Sequence, residues 1–110
     1  MNGSMSTGLK QVTVVINCVI TPGKMEVAMK ALKTVIKTVM LQEKACRGIR
    51  VHQDPDNPQR LLIIENWESK EAFLGPHMQT THMIAFMKLA ESFLDGKAEF
   101  NFWNEVLSEC

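Results

Sequence analysis

Apolar and polar residues change period several times along the chain, and each change marks an element. Lys10 to Thr21 gathers Val12, Thr13, Val14, Val15, Ile16, Val19 and Ile20 in one run. Such a density of β-branched residues suits a pleated backbone and predicts a strand. Pro22-Gly23 breaks it. From Lys24 to about Lys44 the period lengthens. Val27, Ala31, Leu32, Val35, Val39 and Met40 recur at three and four, while Lys24, Lys30, Lys33, Lys37 and Lys44 fall mostly elsewhere. This pattern predicts an amphipathic helix of about five turns with a solvated lysine face. Cys46 to Gln53 alternates, Ile49 and Val51 against Arg50 and His52, and reads as a second strand. Asp54-Pro55-Asp56-Asn57-Pro58 has the chemistry of a turn, so Arg60 to Trp67 reads as a third strand antiparallel to the second. Ser69 offers an N-cap to a helix that starts at Lys70 and is interrupted at Gly75-Pro76. A longer helix is predicted from near Thr81 to about Leu94, with Met83, Ile84, Met87 and Leu89 or Ala90 as its stripe, ended by Asp95-Gly96. Ala98 to Val106 closes as a strand, Phe100 and Phe102 on one side and Trp103 on the other.

The order β-α-β-β-α-β predicts an α+β, ferredoxin-like domain: a four-stranded antiparallel sheet with helices on one face. Yet the first strand is apolar on both faces, with Val12, Val14, Ile16 and Cys18 against Val15 and Val19. The third is too, with Leu61 and Ile63 against Leu62 and Ile64. A sheet with one wet face alternates apolar and polar residues. A second copy of the chain is the simplest cover for the other face, so a homodimer packed sheet to sheet is expected.

The 110 residues give room for one domain; residues 1–8 read as a flexible N-terminal lead and residues 9–110 as the single domain. Twelve basic residues balance twelve acidic ones, which argues against nucleic-acid or polybasic membrane-surface partners. No run approaches the roughly 18 apolar residues of a membrane span, and the first residues lack a signal-peptide pattern. Cytoplasmic residence is the expectation. The three cysteines form no C-x-x-C pair; Cys18 and Cys46 read as small buried hydrophobes and Cys110 as a terminal thiol.

Four segments then stand out in order: Cys46-Arg47-Gly48-Ile49-Arg50-Val51-His52-Gln53-Asp54-Pro55, Asn57-Pro58, Glu65-Asn66-Trp67-Glu68-Ser69-Lys70-Glu71-Ala72-Phe73, and His77-Met78-Gln79-Thr80-Thr81-His82. Together they resemble the antibiotic biosynthesis monooxygenase domain family, over about residues 10–105. The resemblance implies a dimeric ferredoxin-like α+β barrel. It also implies oxygenase chemistry without a metal or organic cofactor. In such family members an electron-rich phenol, quinol or anthrone is deprotonated in an apolar pocket, and its anion reduces dioxygen directly. The implied partners are a small aromatic substrate and dioxygen. The chain departs from the family pattern in places. Ile49 stands where many members carry tyrosine, and the chain has no tyrosine. Ala45 replaces a common glycine, Ile63 stands at an asparagine position of one anthrone-oxidising branch, and Gly75-Pro76 lengthens the Trp-to-His spacing by one. Asn17 matches the first-strand asparagine of haem-degrading relatives, but no tryptophan lies in the helix after Ser69.

Histidine titrates nearest neutral pH, which makes His77 and His82 the candidate catalytic bases; the alternative is that both cap helix ends. On one continuous helix their spacing sets them about 140° apart, poor for a shared metal, and no metal site is expected. Trp67 is either a substrate-pocket wall or core packing. Glu65 shares its face and needs a partner or a raised pKa, with Arg50 across the hairpin as the expected partner. Asn17 interrupts an apolar strand and either meets a buried backbone group or faces a ligand. Phe73, Met78 and Phe86 read as a soft lining or as plain core. His52 is expected to be exposed. The leading reading is a cofactor-independent monooxygenase. Its base is His77 or His82, and its substrate meets Asn17, Glu65, Trp67, Phe73, Met78 and Phe86. Two others remain open: a non-catalytic dimeric small-molecule-binding or stress-response module, and an isomerase of a small carbonyl compound.

Overall fold

The β-branched run forms strand β1 (Val12–Val19), and the period-three-and-four segment forms helix α1 (Met25–Gln42). Strands β2 (Cys46–Gln53) and β3 (Arg60–Trp67), helices α2 (Lys70–Leu74) and α3 (Thr81–Ala90), and strand β4 (Glu99–Trp103) follow. A single 3-10 turn, His77–Gln79, separates α2 from α3. The structure, a computed structural model, describes residues 10–110; the lead expected over residues 1–8 lies outside the described residues.

The strands form one antiparallel sheet in the order β2-β3-β1-β4, the ferredoxin-like arrangement that the element order predicts. The two strands apolar on both faces, β1 and β3, are the central pair. Their inner face carries Val14, Ile16, Leu61, Ile63 and Trp67, all buried in one core with α1 and Phe73. Val15, Val19, Leu62 and Ile64 occupy the outer face, half-buried or exposed, among Asn17, Arg50 and His52. No helix among the described residues is long and apolar enough to cross a membrane. Cys18 and Cys46 are buried, Cys110 is exposed, and all three are free.

Three expectations are corrected in detail. The stripe of α1 is Ala28, Leu32, Val35 and Val39, whereas Val27 and Met40 are exposed. Val27 and Ala31 look along the groove toward α3 rather than down onto the sheet. Helix α3 ends at Ala90, not near Leu94. The chain there bonds to the end of β1 instead: Thr21 N–H donates to the Phe93 carbonyl, Asp95 N–H donates to the Val19 carbonyl, and Ile20 pairs with Leu94. These ladder-type bonds compete with another helical turn, and Gly96 at φ +86° completes the reversal. Finally, β4 stops at Trp103 rather than Val106. Among the described residues its one neighbour in the sheet is β1, and the last pair is Thr13 with Trp103, next to the start of β1 at Val12.

Candidate active site

Local sequence directs His77 inward. The Ser69 hydroxyl accepts the Ala72 N–H at 3.0 Å and caps α2. Gly75-Pro76 then stops the helix, because proline has no N–H to continue it, and Pro76 opens the 3-10 turn. His77 in that turn is 2% exposed. Thr80 is extended, and its hydroxyl accepts the Met83 N–H at 3.2 Å to cap α3. His77 and His82 therefore do not share a continuous helix, and the separation computed for one does not apply.

The two imidazoles instead converge on Glu43, a residue the sequence analysis missed. His77 Nδ1 lies 2.9 and 3.0 Å from the two oxygens of the Glu43 carboxylate, and His82 Nε2 bonds to Oε2 of the same group. Glu43 is the C-cap of α1, where the helix dipole disfavours negative charge, and no basic residue occupies the last turn to offset it. That misplaced charge was the available signal: a carboxylate there needs donors from elsewhere in the chain.

Engagement of Nδ1 by a carboxylate sets the tautomer. Nδ1 carries the proton and donates, and Nε2 keeps a lone pair. The ring is held between Trp67, 4.3 Å away between centroids, and Phe73, at 5.2 Å. Burial holds the His77 imidazole below its ordinary pKa, with Glu43 opposing. The result is a neutral base that is difficult to protonate but poised to share positive charge with a carboxylate.

His77 opens onto a cavity of about 650 Å³ between the inner sheet face and the helices. Ile16, Ile49, Ile63 and Glu65 form its floor, Phe73 and Met78 flank His77, and Phe86 closes it from α3. The stripe of α3 differs from the expected one: Met83, Phe86, Met87 and Ala90 face this cavity, where only Ala90 is fully buried, while Ile84 and Leu89 lie outside it and are exposed.

Glu65 is 8% exposed in this floor. Its expected partner, Arg50, pairs with Ile64 and so points to the opposite face; Glu65 sits opposite Ile49 and Val14. Its Oε1 accepts the Trp67 indole N–H at 2.8 Å. Burial pushes the Glu65 carboxyl up, the negative Glu43 adds to this, and the indole bond opposes it.

Of the eight residues singled out from sequence, His77, Glu65, Phe73, Met78 and Phe86 line one cavity. Trp67, 1% exposed, stands behind it and supports both His77 and Glu65. His82 meets the site only through Glu43 and borders a groove between α1 and α3. Asn17 is corrected: it lies on the outer sheet face opposite Leu62 and Glu99, bordering a shallow polar depression with Arg60 and Lys97. Alternation sends it there, because its neighbours Ile16 and Cys18 take the inner face. Among the described residues no three His, Cys, Asp or Glu side chains are grouped to hold a metal ion.

No curated protein matches the chain. A conserved protein from Methanosarcina mazei Go1 superposes with a TM-score of 0.79 at 26% identity, over 89% of this chain and 95% of that one. A Pseudomonas aeruginosa protein does so with a TM-score of 0.79 at 23% identity, over 96% and 100%. A structure named as an antibiotic biosynthesis monooxygenase gives a TM-score of 0.77 at 19% identity, over 87% and 99%. The sequence profile described as antibiotic biosynthesis monooxygenase matches residues 11–89. That span runs from β1 into α3 and contains Glu43, Glu65, Trp67, His77 and His82, and the chain belongs to the antibiotic biosynthesis monooxygenase family.

Proposed function

We propose that the protein is a cofactor-independent monooxygenase that oxidises a quinol-like or polycyclic aromatic substrate with dioxygen. The observation that carries this reading is an imidazole, His77, oriented by Glu43 and set in the wall of an apolar cavity of about 650 Å³. A cavity of that size falls within the range of small-molecule sites. His77 Nε2 takes the phenolic proton, and Glu43 stabilises the imidazolium that results. The apolar floor and the Phe73, Met78 and Phe86 walls leave the new anion poorly solvated. Its electrons are then held less tightly and pass to dioxygen more readily. Trp67 and Phe73 hold the base in place. His82 is a positioning residue that completes the bonding of Glu43. The working form in this reading is a homodimer joined through the outer sheet face, in the cytoplasm.

The test is oxygen consumption by metal-stripped protein over a panel of quinols and anthrones, with each compound's autoxidation subtracted. Saturable uptake is expected, and His77→Ala should lower its kcat by about 100-fold or more. Absence of uptake across the panel would favour a binding module or an isomerase on the same fold.

A further inference from the structure

Of the acidic and basic side chains that line the cavity besides His77, Glu65 alone is buried, and proton abstraction by His77 does not use it. Glu65 is buried in the floor, its Oε1 is engaged by the Trp67 indole N–H, and among the described residues no hydrogen-bond donor reaches its Oε2. Lys97 and Glu91 share the cavity lining but are exposed, and among the described residues no cation bonds to Glu65. Glu43 at the end of α1 is itself acidic and raises the Glu65 carboxyl. Cys46 at the start of β2 is a thiol pushed up to about 11 by burial. His77 is held below its ordinary value by burial, and Arg50 lies on the other sheet face. A lone buried carboxylate is costly, and such a group keeps its proton instead. The Trp67 bond occupies Oε1 as an acceptor, which leaves Oε2 to carry that proton.

We propose that Glu65 is a neutral carboxylic acid whose Oε2–H donates a hydrogen bond to the carbonyl or hydroxyl oxygen of an aromatic ligand in this cavity and, in turnover, protonates the departing oxygen. The ligand-binding half stands on the cavity alone; the turnover half rests on the oxygenase reading. In turnover dioxygen has added to the ring carbon as a hydroperoxide. His77 Nε2 takes the proton from that carbon, and the C–H pair becomes the second bond of the new carbonyl. The O–O bond breaks with its electrons on the outer oxygen, and the Glu65 proton joins that hydroxide to form water. Carbon is oxidised and the peroxide reduced; overall one CH2 and one dioxygen give one carbonyl and one water. A proton returned from His77 to Glu65 through solvent resets the pair. The same indole that holds Glu65 through Nε1 packs against His77 with ring centroids 4.3 Å apart, so Trp67 sets the placement of acid and base together. Opposite perturbation of two groups at one site is the usual mark of such an assignment.

Difference infrared spectroscopy at neutral pH tests the binding half. Wild-type protein should show a protonated-carboxyl C=O band that is missing in Glu65→Gln. The band should move to lower frequency on addition of 1-tetralone, an aromatic ketone, and stay in place with tetralin, the same skeleton without oxygen. Glu65→Leu should weaken 1-tetralone binding about tenfold and leave tetralin binding unchanged. Absence of the band in wild type, or a band that 1-tetralone leaves unmoved, overturns the proposal. If a variant fails to fold, the wild-type response to the two probes still decides. Glu65→Gln should lower the kcat of oxygen uptake about 100-fold with little change in KM. A responsive band without oxygen uptake upholds the binding half and defeats the oxygenase reading, whereas uptake without the band defeats the Glu65 proposal alone.

Discussion

At the scale of single residues, the site depends on one carboxylate serving two imidazoles. Glu43 fixes the His77 tautomer and partly offsets the effect of burial on its charge. Glu43→Gln keeps the side-chain shape and removes the charge. Supporting partners of this kind are worth about 10- to 100-fold in activity, and a loss of that size in kcat is expected. The variant should also shift the acid limb of the rate profile to lower pH, because without Glu43 the imidazolium loses its stabilising partner. Stability follows the same sign. His77 folds with its pKa below the ordinary 6.5, so between the two values the unfolded chain binds more protons. The stability it contributes is present above 6.5 and lost as pH falls through the folded value. Glu43→Gln lowers that folded value further and should widen the gap between denaturation midpoints at neutral and mildly acidic pH. A gap equal to the wild type's would overturn this assignment. Little of this was legible from sequence. His77 and His82 stand out by residue type, but Glu43 is 34 and 39 positions away. Only the anomaly of an acid at a helix C-terminus hinted that it needed partners.

At the scale of elements, short segments position the chemistry. Helix α2 has five residues, too few to persist without tertiary support, yet it carries Phe73 and delivers the chain to His77. Its N-cap, Ser69, is 5% exposed, so water cannot replace the hydroxyl that accepts the Ala72 N–H. Ser69→Ala should cost about 1 kcal/mol or somewhat more, while Ser69→Thr should retain most of it. Chemical denaturation midpoints of the two variants check this, and equal midpoints would show that the cap contributes nothing. The cap was readable in advance because Ser before an acidic first turn is a local signal. The order of elements along the chain was readable because period two and period three to four are local as well. Helix faces and ends were not. Val27 against Ala28, and Ala90 against Leu94, were decided by what lay across from them: a groove, a cavity and the free end of β1.

At the scale of the whole molecule, the sheet has an inner face covered by helices and an outer face that no helix among the described residues covers. Val15 and Ile64 are cross-strand partners at its centre, and Leu62 lies opposite Asn17 one step along. Both central strands spend β-branched or leucine side chains on that face, where a wet surface calls for alternation with polar residues. Thr13, Asn17, Asn66 and Arg50 surround the patch, an arrangement of apolar centre and polar rim common to protein interfaces. A homodimer through this face is therefore expected in sedimentation at micromolar concentration. Val15→Asp discriminates between interface and mere surface. On a two-fold interface each substitution enters twice, so two carboxylates would be brought together out of water without partners. The variant should sediment as a monomer. Because Val15 points away from the cavity, its fold and the engagement of His77 by Glu43 should persist, as reported by an unchanged imidazole NMR titration. A wild type that sediments as a monomer would reject the interface. A Val15→Asp protein that remains dimeric would move the contact away from the Val15–Ile64 centre, with the exposed Trp103, opposite Thr13 on the same face at the β4 edge, as the next place to substitute.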